Sequence, residues 1–329
     1  MCGKARSVFF LPWEEGHHTA EKILNADEII KSPGIPETAP LVVQAREKGI
    51  PVISEIEYAG RFTDARMVCI TGSNGKTTTT LLIKHILDTA GIDAGLAGNV
   101  GFSLAAQVAA DAHPLYVIEL SSFQLDGMFD FRADVAVLTN ITPDHLDRYD
   151  FKFRILQNMR SEDLFVYGYD SDAVRKKVQE LDIVPAQAPF TYLDKKDCAA
   201  YMDGNRLTAR ESGRVFSIDK NEISIKGRHN IYNAMCAVLA CMRLGVDNEK
   251  IAEGLRSFPQ VEHRLETVLV KDGVTYINDS KATNVDSAWY ALDSMTAPVV
   301  WIAGGKDKGN DYSVLYELVR KKVKALVCM

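Results

Sequence analysis

Residues 69–80 read CITGSNGKTTTT, and the fold turns on this stretch. The run MVCIT (67–71) has the composition of a buried strand. KTTTTLLIKHILDTAG (76–91) reads as a helix closed by Gly91. Between them Gly72 and Gly75 let the backbone turn its N–H groups inward. Strand, glycine turn and helix in this order make the setting of a phosphate loop. The usual loop has a glycine five positions before the second one, and here that position is Ile70, so the loop is a variant. The helix N-terminus adds partial positive charge. Lys76 is placed to reach the β/γ-phosphates and Thr77 to face Mg²⁺, with Ser73, Asn74 and Thr78 completing the cradle. The bland alternative is a glycine-rich turn with a solvated lysine, and the ordered set of strand, glycines, lysine and threonine argues against it.

Working outward, LYVIEL (115–120) and ADVAVLTNI (133–141) are continuous apolar strands. Such strands alternating with helices predict a parallel sheet covered on both faces, so the fold class is α/β. Glu119 ends one strand, where ligands bind in open α/β sheets, and is a candidate Mg²⁺ ligand or a solvated strand-end acid. TNITPDHLDRY puts Asp144, His145 and Asp147 at the end of the other, where a histidine among carboxylates can bind metal or position phosphate. In GRHNIYNAMCAVLACMRLG (227–245), an amphipathic helix, Asn230 and Asn233 share a face. Their spacing leaves open adenine recognition and simple N-capping by Asn230.

After residue 260 an α/β pattern restarts, with strands at VTYIND, APVVWIAGG and ALVCM and helices around NVDSAWYALDSM and DYSVLYELVRKKV. Arg264 in EHRLE is a candidate phosphate clamp. Asp279, Lys281 and Thr283 crowd a strand end. Lys306 and Lys308 sit near a helix start, where cations oppose the dipole unless an anion is bound. Upstream, APLVVQAREKG (39–49) reads as a helix and ADEIIKS and IPVISEIE as strand-like pieces, with Pro33, Pro36 and Pro40 forbidding a continuous helix between. The boundaries read from this are 1–63, 64–262 and 263–329.

The bulk numbers limit the function classes. A net charge of −6 over 329 residues gives no basic surface for nucleic acid. No apolar run approaches the roughly 20 residues of a membrane helix. SVFFLP is too short for a signal-peptide core. Six cysteines without a C-x-x-C pair read as reduced thiols of a cytoplasmic protein. Nothing indicates an obligate interface, so a monomer is expected.

TGSNGKTTTT, GNVG (98–101), ELSSFQL, TNITPDHLDRY, GRHNIYNA, HRLE, NDSKATN and GGKDKG, in this order, resemble the Mur ligase family, and SPGIP (32–36) fits it too. NDSKATN is the most discriminating piece and points to the form that adds D-glutamate. The resemblance implies three domains: a Rossmann-like one for the UDP end of the substrate, a central ATP-binding domain, and a Rossmann-like third that brings the amino acid. It implies ATP-dependent amide formation through an acyl phosphate, from UDP-N-acetylmuramoyl-L-alanine and D-glutamate, in peptidoglycan precursor synthesis. Carried over by motif, Lys76 and Thr77 hold phosphates and Mg²⁺, and Glu119 and His145 belong to the magnesium site. Asn230, Asn233, Arg264, Asp279 and Lys281 contact ATP. Asn99 contacts the UDP-sugar substrate, with Ser32 and Gly34 as weaker candidates, and Thr283 and Lys308 contact D-glutamate. The runners-up are another ligase of the family or folylpolyglutamate synthase. From other classes come a phosphate-loop kinase or NTPase and a non-catalytic nucleotide module.

The sequence departs from the family in three places. The family's carbamylated lysine, which carbamylation turns into a magnesium-binding carboxylate, is matched only by Lys152, seven residues after His145. That spacing is about half the family's, and in an uninterrupted chain it predicts that Lys152 does not easily take that lysine's place. The opening MCGKARSVFFLPWEEG lacks the strand and glycine turn of a Rossmann-like start. The third domain's pattern stops short of the family's at Met329. Segments of the family pattern are therefore expected to be missing near residues 3–13 and 150–154 and after 329.

Overall fold

The computed structural model describes residues 13–110, 113–141, 149–259, 261, 263–305 and 311–329. After a short helix, Ala20–Ile23, the first described residues form a small β–α–β unit. Strands β1 (Ile29–Ile30) and β2 (Val52–Ile53) pair in parallel, joined through the helix Pro40–Glu47. Proline at that helix's first position fixes φ and removes an N–H that has no partner there anyway. The strand-like reading of IPVISEIE holds only as far as Ile53. Ser54 accepts the Glu57 N–H and caps a helix, Glu55–Gly60, whose first turn carries Glu55 and Glu57. Buried Glu57 then accepts the backbone N–H groups of Phe129, Asp130 and Phe131 at 3.0, 3.1 and 3.0 Å, tying this unit to the central sheet.

Among the described residues the central sheet has nine strands: β3 (Arg66–Thr71), β4 (Gly95–Gly98), β5 (Leu115–Glu119), β6 (Val135–Leu138), β7 (Leu164–Gly168), β8 (Ala186–Phe190), β9 (Ala200–Asp203), β10 (Arg206–Glu211) and β11 (Arg214–Asp219). Their order is β11-β10-β9-β8-β7-β6-β3-β5-β4. All pairings from β4 to β9 are parallel, whereas β9, β10 and β11 form an antiparallel meander. The expected parallel sheet is thus present but extended by two hairpins, through Gly204-Asn205 and Ser212-Gly213. Ser212 and Gly213 both have positive φ, as such tight turns require.

Both faces of the sheet are covered. Val68 and Ile70 of β3 pack with Leu82, Ile83 and Ile86 of the helix Lys76–Thr89, while Met67 and Cys69 point into a second core with Tyr116, Ile118, Phe131 and Phe165. Each such side chain, fully buried, contributes about 1.5–3 kcal/mol. The helix Arg228–Arg243 is not amphipathic as read. Every residue from Ala234 to Met242 is buried, because the helix lies in the same core as the sheet and the helices Lys76–Thr89 and Asn248–Ser257.

Beyond residue 263 lie an antiparallel hairpin, β12 (Glu266–Lys271) with β13 (Val274–Asn278), the helix Val285–Ser294, and a parallel pair, β14 (Val299–Ala303) with β15 (Val323–Cys328), linked through the helix Tyr316–Lys322. Among the described residues no helix is long and apolar enough to cross a membrane.

One feature of the sheet places the site. From β3 the chain runs to β4 and β5 on one side; after β6 it runs to β7 and β8 on the other. Adjacent β3 and β6 therefore flank the point where the connections part, which is where open α/β sheets bind ligands at their carboxyl ends.

Candidate nucleotide site

The loop after β3 sits at that point, and its shape is set by two glycines. Gly72 has φ 145° and Gly75 φ 83°, the latter as N-cap of the helix Lys76–Thr89. A side chain at Gly72 would strike the Thr139 hydroxyl at 2.0 Å, and one at Gly75 the Asn233 amide at 2.3 Å, so space as well as φ requires glycine. The end of β6 braces the loop. The Ser73 N–H donates to the Asn140 carbonyl at 2.9 Å and the Asn74 N–H to Asn140 Oδ1 at 2.9 Å. The Asn74 carbonyl accepts Thr139 Oγ1 at 2.6 Å and Asn140 Nδ2 at 2.9 Å.

Lys76 folds back over the loop, its Nζ donating to the carbonyls of Gly72 (2.7 Å) and Ser73 (3.0 Å). Burial pushes its pKa down, Glu119 opposes that, and Arg264 adds to it. Glu119 is 1% exposed at the end of β5. Its Oε1 accepts Asn99 Nδ2 at 2.6 Å; its Oε2 is buried with no hydrogen-bond partner among the described residues. Lys152 is 4% exposed and its Nζ donates to Ser73 Oγ at 2.8 Å. The short segment after His145 therefore does not keep Lys152 from the loop. The helix Tyr149–Phe153 leads directly into the turn Arg154–Leu156 and delivers it there.

A cavity of about 860 Å³ opens beside the loop. Asn74, Gly75 and Thr78 line one wall, and Asn230 and Asn233 line another. Asn230 is not the N-cap of its helix, a position held by Gly227. It donates to the Lys226 carbonyl and accepts Asn233 Nδ2 at 3.1 Å, while Asn233 Oδ1 accepts the Thr79 hydroxyl at 3.3 Å. The third wall comes from beyond residue 263, with Arg264, Asp279, Ser287 and Tyr290. His263 (φ 61°) and Leu265 (φ 48°) bracket Arg264 in the left-handed region, a conformation that costs non-glycine residues about 1–3 kcal/mol. The bond from Leu265 N–H to Asp279 Oδ1 (3.1 Å) helps hold it, and Arg264 Nη2 lies 3.5 Å from Thr77 Oγ1. Burial raises the pKa of Asp279 and Arg264 opposes the rise.

The loop residues, Glu119, Asn99, Lys152, Asn230, Asn233, Arg264 and Asp279 thus belong to one neighbourhood. Lys281 and Thr283 are exposed and lie outside the cavity wall, as do Ser32 and Gly34 of the first unit. His145 and Lys308 fall outside the described residues. Among the described residues no three His, Cys, Asp or Glu side chains group as a metal site. The braces Thr139, Asn140, Asn284 and Ser287 were not singled out from the sequence. Only Asn284, an asparagine just before a helical run, carried a signal, that of an N-cap.

His229 also lines the cavity, 5.6 Å ring to ring from Tyr290. Burial, then Arg264, push its pKa from the ordinary 6.5 down to about 4. The folded state thus favours neutral imidazole, so its contribution is present above pH 6.5 and is lost as pH falls toward 4. Stability at pH 5 is expected to be about 1–2 kcal/mol below that at pH 7 from this residue alone. Urea denaturation at the two pH values checks it, and His229→Gln should remove most of the difference.

The Mur ligase middle domain model matches residues 70–241. The UDP-N-acetylmuramoylalanine–D-glutamate ligase of Bacteroides fragilis is 53% identical over 325 residues, covering 96% of this chain and 73% of that protein. The ligase of the same name from Porphyromonas gingivalis is 53% identical over 329 residues, covering 97% and 73%. Among solved structures, MurF from Acinetobacter baumannii superposes with a TM-score of 0.66 at 17% identity over 93% of this chain and 79% of that one. UDP-N-acetylmuramate-alanine ligase MurC from Thermotoga maritima gives 0.59 at 18% over 95% and 79%. The structural likenesses speak for the fold, and the loop, the strand-end carboxylate and the sequence relatives for more: the chain belongs to the Mur ligase family.

Proposed function

We propose that this chain is an ATP-dependent amide ligase that joins D-glutamate to UDP-N-acetylmuramoyl-L-alanine, supplying a peptidoglycan precursor in the cytoplasm as a monomer. The observation that carries the reading is the cavity walled jointly by the phosphate loop and by Arg264, Asp279, Ser287 and Tyr290 from beyond residue 263. A kinase or NTPase does not require that wall from beyond residue 263. The substrate is the one in the names of relatives 53% identical over nearly the whole chain.

In the proposed reaction a carboxylate oxygen of the alanyl substrate attacks the γ-phosphorus of ATP and ADP departs. The D-glutamate nitrogen then attacks the acyl carbon, loses a proton, and phosphate leaves. The first step brings anions together, so its barrier falls where positive charge is already in place. Lys76, Arg264 and the first-turn N–H groups of the helix Lys76–Thr89 supply it. Asn230 and Asn233 offer their remaining amide edges to adenine, and Asp279 and Lys281 make further ATP contacts. Asn99 serves the UDP-sugar substrate, with Ser32 and Gly34 as weaker contacts, and Thr283 and Lys308 serve the D-glutamate carboxylates.

The buried, unpartnered Oε2 of Glu119 fits a divalent cation, since an anionic oxygen without a partner is costly to bury. Glu119 and the Thr77 hydroxyl would hold Mg²⁺, together with His145 and a carbamylated Lys152. When bound, the ion neutralises phosphate charge. The test is incubation with UDP-N-acetylmuramoyl-L-alanine, ATP and Mg²⁺, scanning D-glutamate, L-glutamate, L-lysine and diaminopimelate by product mass. D-Glutamate alone is expected to give an amide. Another amino acid giving it overturns the substrate assignment, and ADP with no amide favours an NTPase.

A further inference from the structure

The side chain of Asn74 joins the phosphate loop to the chain beyond residue 263, and the orientation of its amide is forced. Asn284 Oδ1 accepts the Ser287 N–H at 2.8 Å as N-cap of the helix Val285–Ser294. Its Nδ2 must therefore donate, and it meets Asn74 Oδ1 at 2.9 Å. The Ser287 hydroxyl reaches the same oxygen at 3.0 Å. That leaves Asn74 Nδ2 buried and without a hydrogen-bond partner among the described residues, in a residue that lines the cavity and whose backbone Asn140 holds at both ends. A buried N–H without an acceptor is unfavourable. Turning the amide over would not help, because its NH₂ would then face the committed NH₂ of Asn284.

We propose that Asn74 is a positioning residue that couples occupancy of the phosphate loop to docking of the Val285–Ser294 helix; this rests on the ligase reading above. A phosphate oxygen accepting Asn74 Nδ2 satisfies the orphan donor and fixes the amide with its oxygen toward Asn284 and Ser287. The coupling is reciprocal: the docked helix holds the donor ready for phosphate. The helix also lines the cavity through Ser287, Tyr290 and Ala291, so a bridge that keeps it docked protects the acyl phosphate from water. Without it, water attacks the acyl phosphate, the original carboxylate is regenerated, inorganic phosphate leaves, and ATP is spent as ADP with no amide formed.

Asn284→Ser keeps an N-cap side chain but loses the donor to Asn74. Ser287→Ala leaves the cap's backbone N–H untouched and serves if the first variant folds poorly. Nucleotide affinity is read by titration with ADP, and coupling by the ratio of ADP to amide. Each variant is expected to bind ADP about 3–10-fold more weakly and to raise the ratio from one to at least three, at an unchanged melting temperature. In an Asn74→Ala background, adding Asn284→Ser should change neither readout further. Wild-type ADP affinity in both single variants, or a ratio that stays at one in both, overturns the proposal. Absence of amide from the wild-type protein overturns the ligase reading instead, and the ADP titration still decides the coupling.

Discussion

Lys76→Ala is expected to lower amide formation about 10²–10³-fold while the protein stays folded. Nζ donates to the loop's carbonyls at Gly72 and Ser73, at 2.7 and 3.0 Å, and so stands where polyphosphate charge collects. Removing a preorganised charge from a water-excluded site costs about 3–4 kcal/mol of transition-state stabilisation. The effect on stability should be small. Burial already disfavours this ammonium, and only the nearby Glu119 charge offsets that. Truncation removes a desolvated cation along with its two hydrogen bonds, so stability should move by no more than about 1 kcal/mol. Amide product by mass and a thermal melt read the two quantities. A variant that retains ligation within tenfold of wild type refutes the role, and one that unfolds refutes the claim that the lysine is functional rather than structural.

The loop was legible because its determinants are local. Two glycines, a lysine and a flanking strand and helix fix backbone conformation within ten residues, and the observed φ values are those such a turn needs. Glu119 was legible for a similar reason, as a lone acid ending an apolar strand. What could not be read depends on partners far apart in the chain. Thr139 and Asn140 brace the loop across some 65 residues and Asn284 across 210. Nothing in TNIT or SKATN says which backbone they will meet. The contact of Lys152 with Ser73, made through a short helix, is likewise not legible from its distance in sequence to His145. Other misses had signals that went unused. Gly204-Asn205 and Ser212-Gly213 are hairpin dipeptides between short strands, and Ser54 followed by two glutamates marks a helix start. The helix Arg228–Arg243 misled in the opposite way. Its alanines and cysteines read as one apolar face, but small side chains are what a helix enclosed on several sides requires.

Glu119→Gln is expected to reduce ligation about a hundredfold and at the same time to leave the protein as stable or more so. The substitution keeps the shape and the bond from Asn99 Nδ2 while removing the charge. In the wild type, Oε2 is buried without a partner among the described residues, an arrangement that weakens the empty protein. A neutral amide relieves that desolvation, and the loss of the charge facing Lys76 offsets part of the gain, so a melt should show no net loss. Function moves the other way through two routes. Lys76 loses the charge that raises its pKa, so it releases its proton at lower pH, and the alkaline limb of kcat/KM should shift downward. The site also loses the anionic oxygen argued to hold a divalent cation, which Mn²⁺ binding followed by electron paramagnetic resonance reads without any turnover. Weaker Mn²⁺ binding with an unchanged or higher melting temperature is what a residue kept for chemistry at the expense of stability must show. A variant with wild-type turnover and wild-type Mn²⁺ affinity would return Glu119 to the status of a strand-end acid. A variant that simply unfolds would mean that the charge Glu119 sets against Lys76, and not the cation, is what the carboxylate is for.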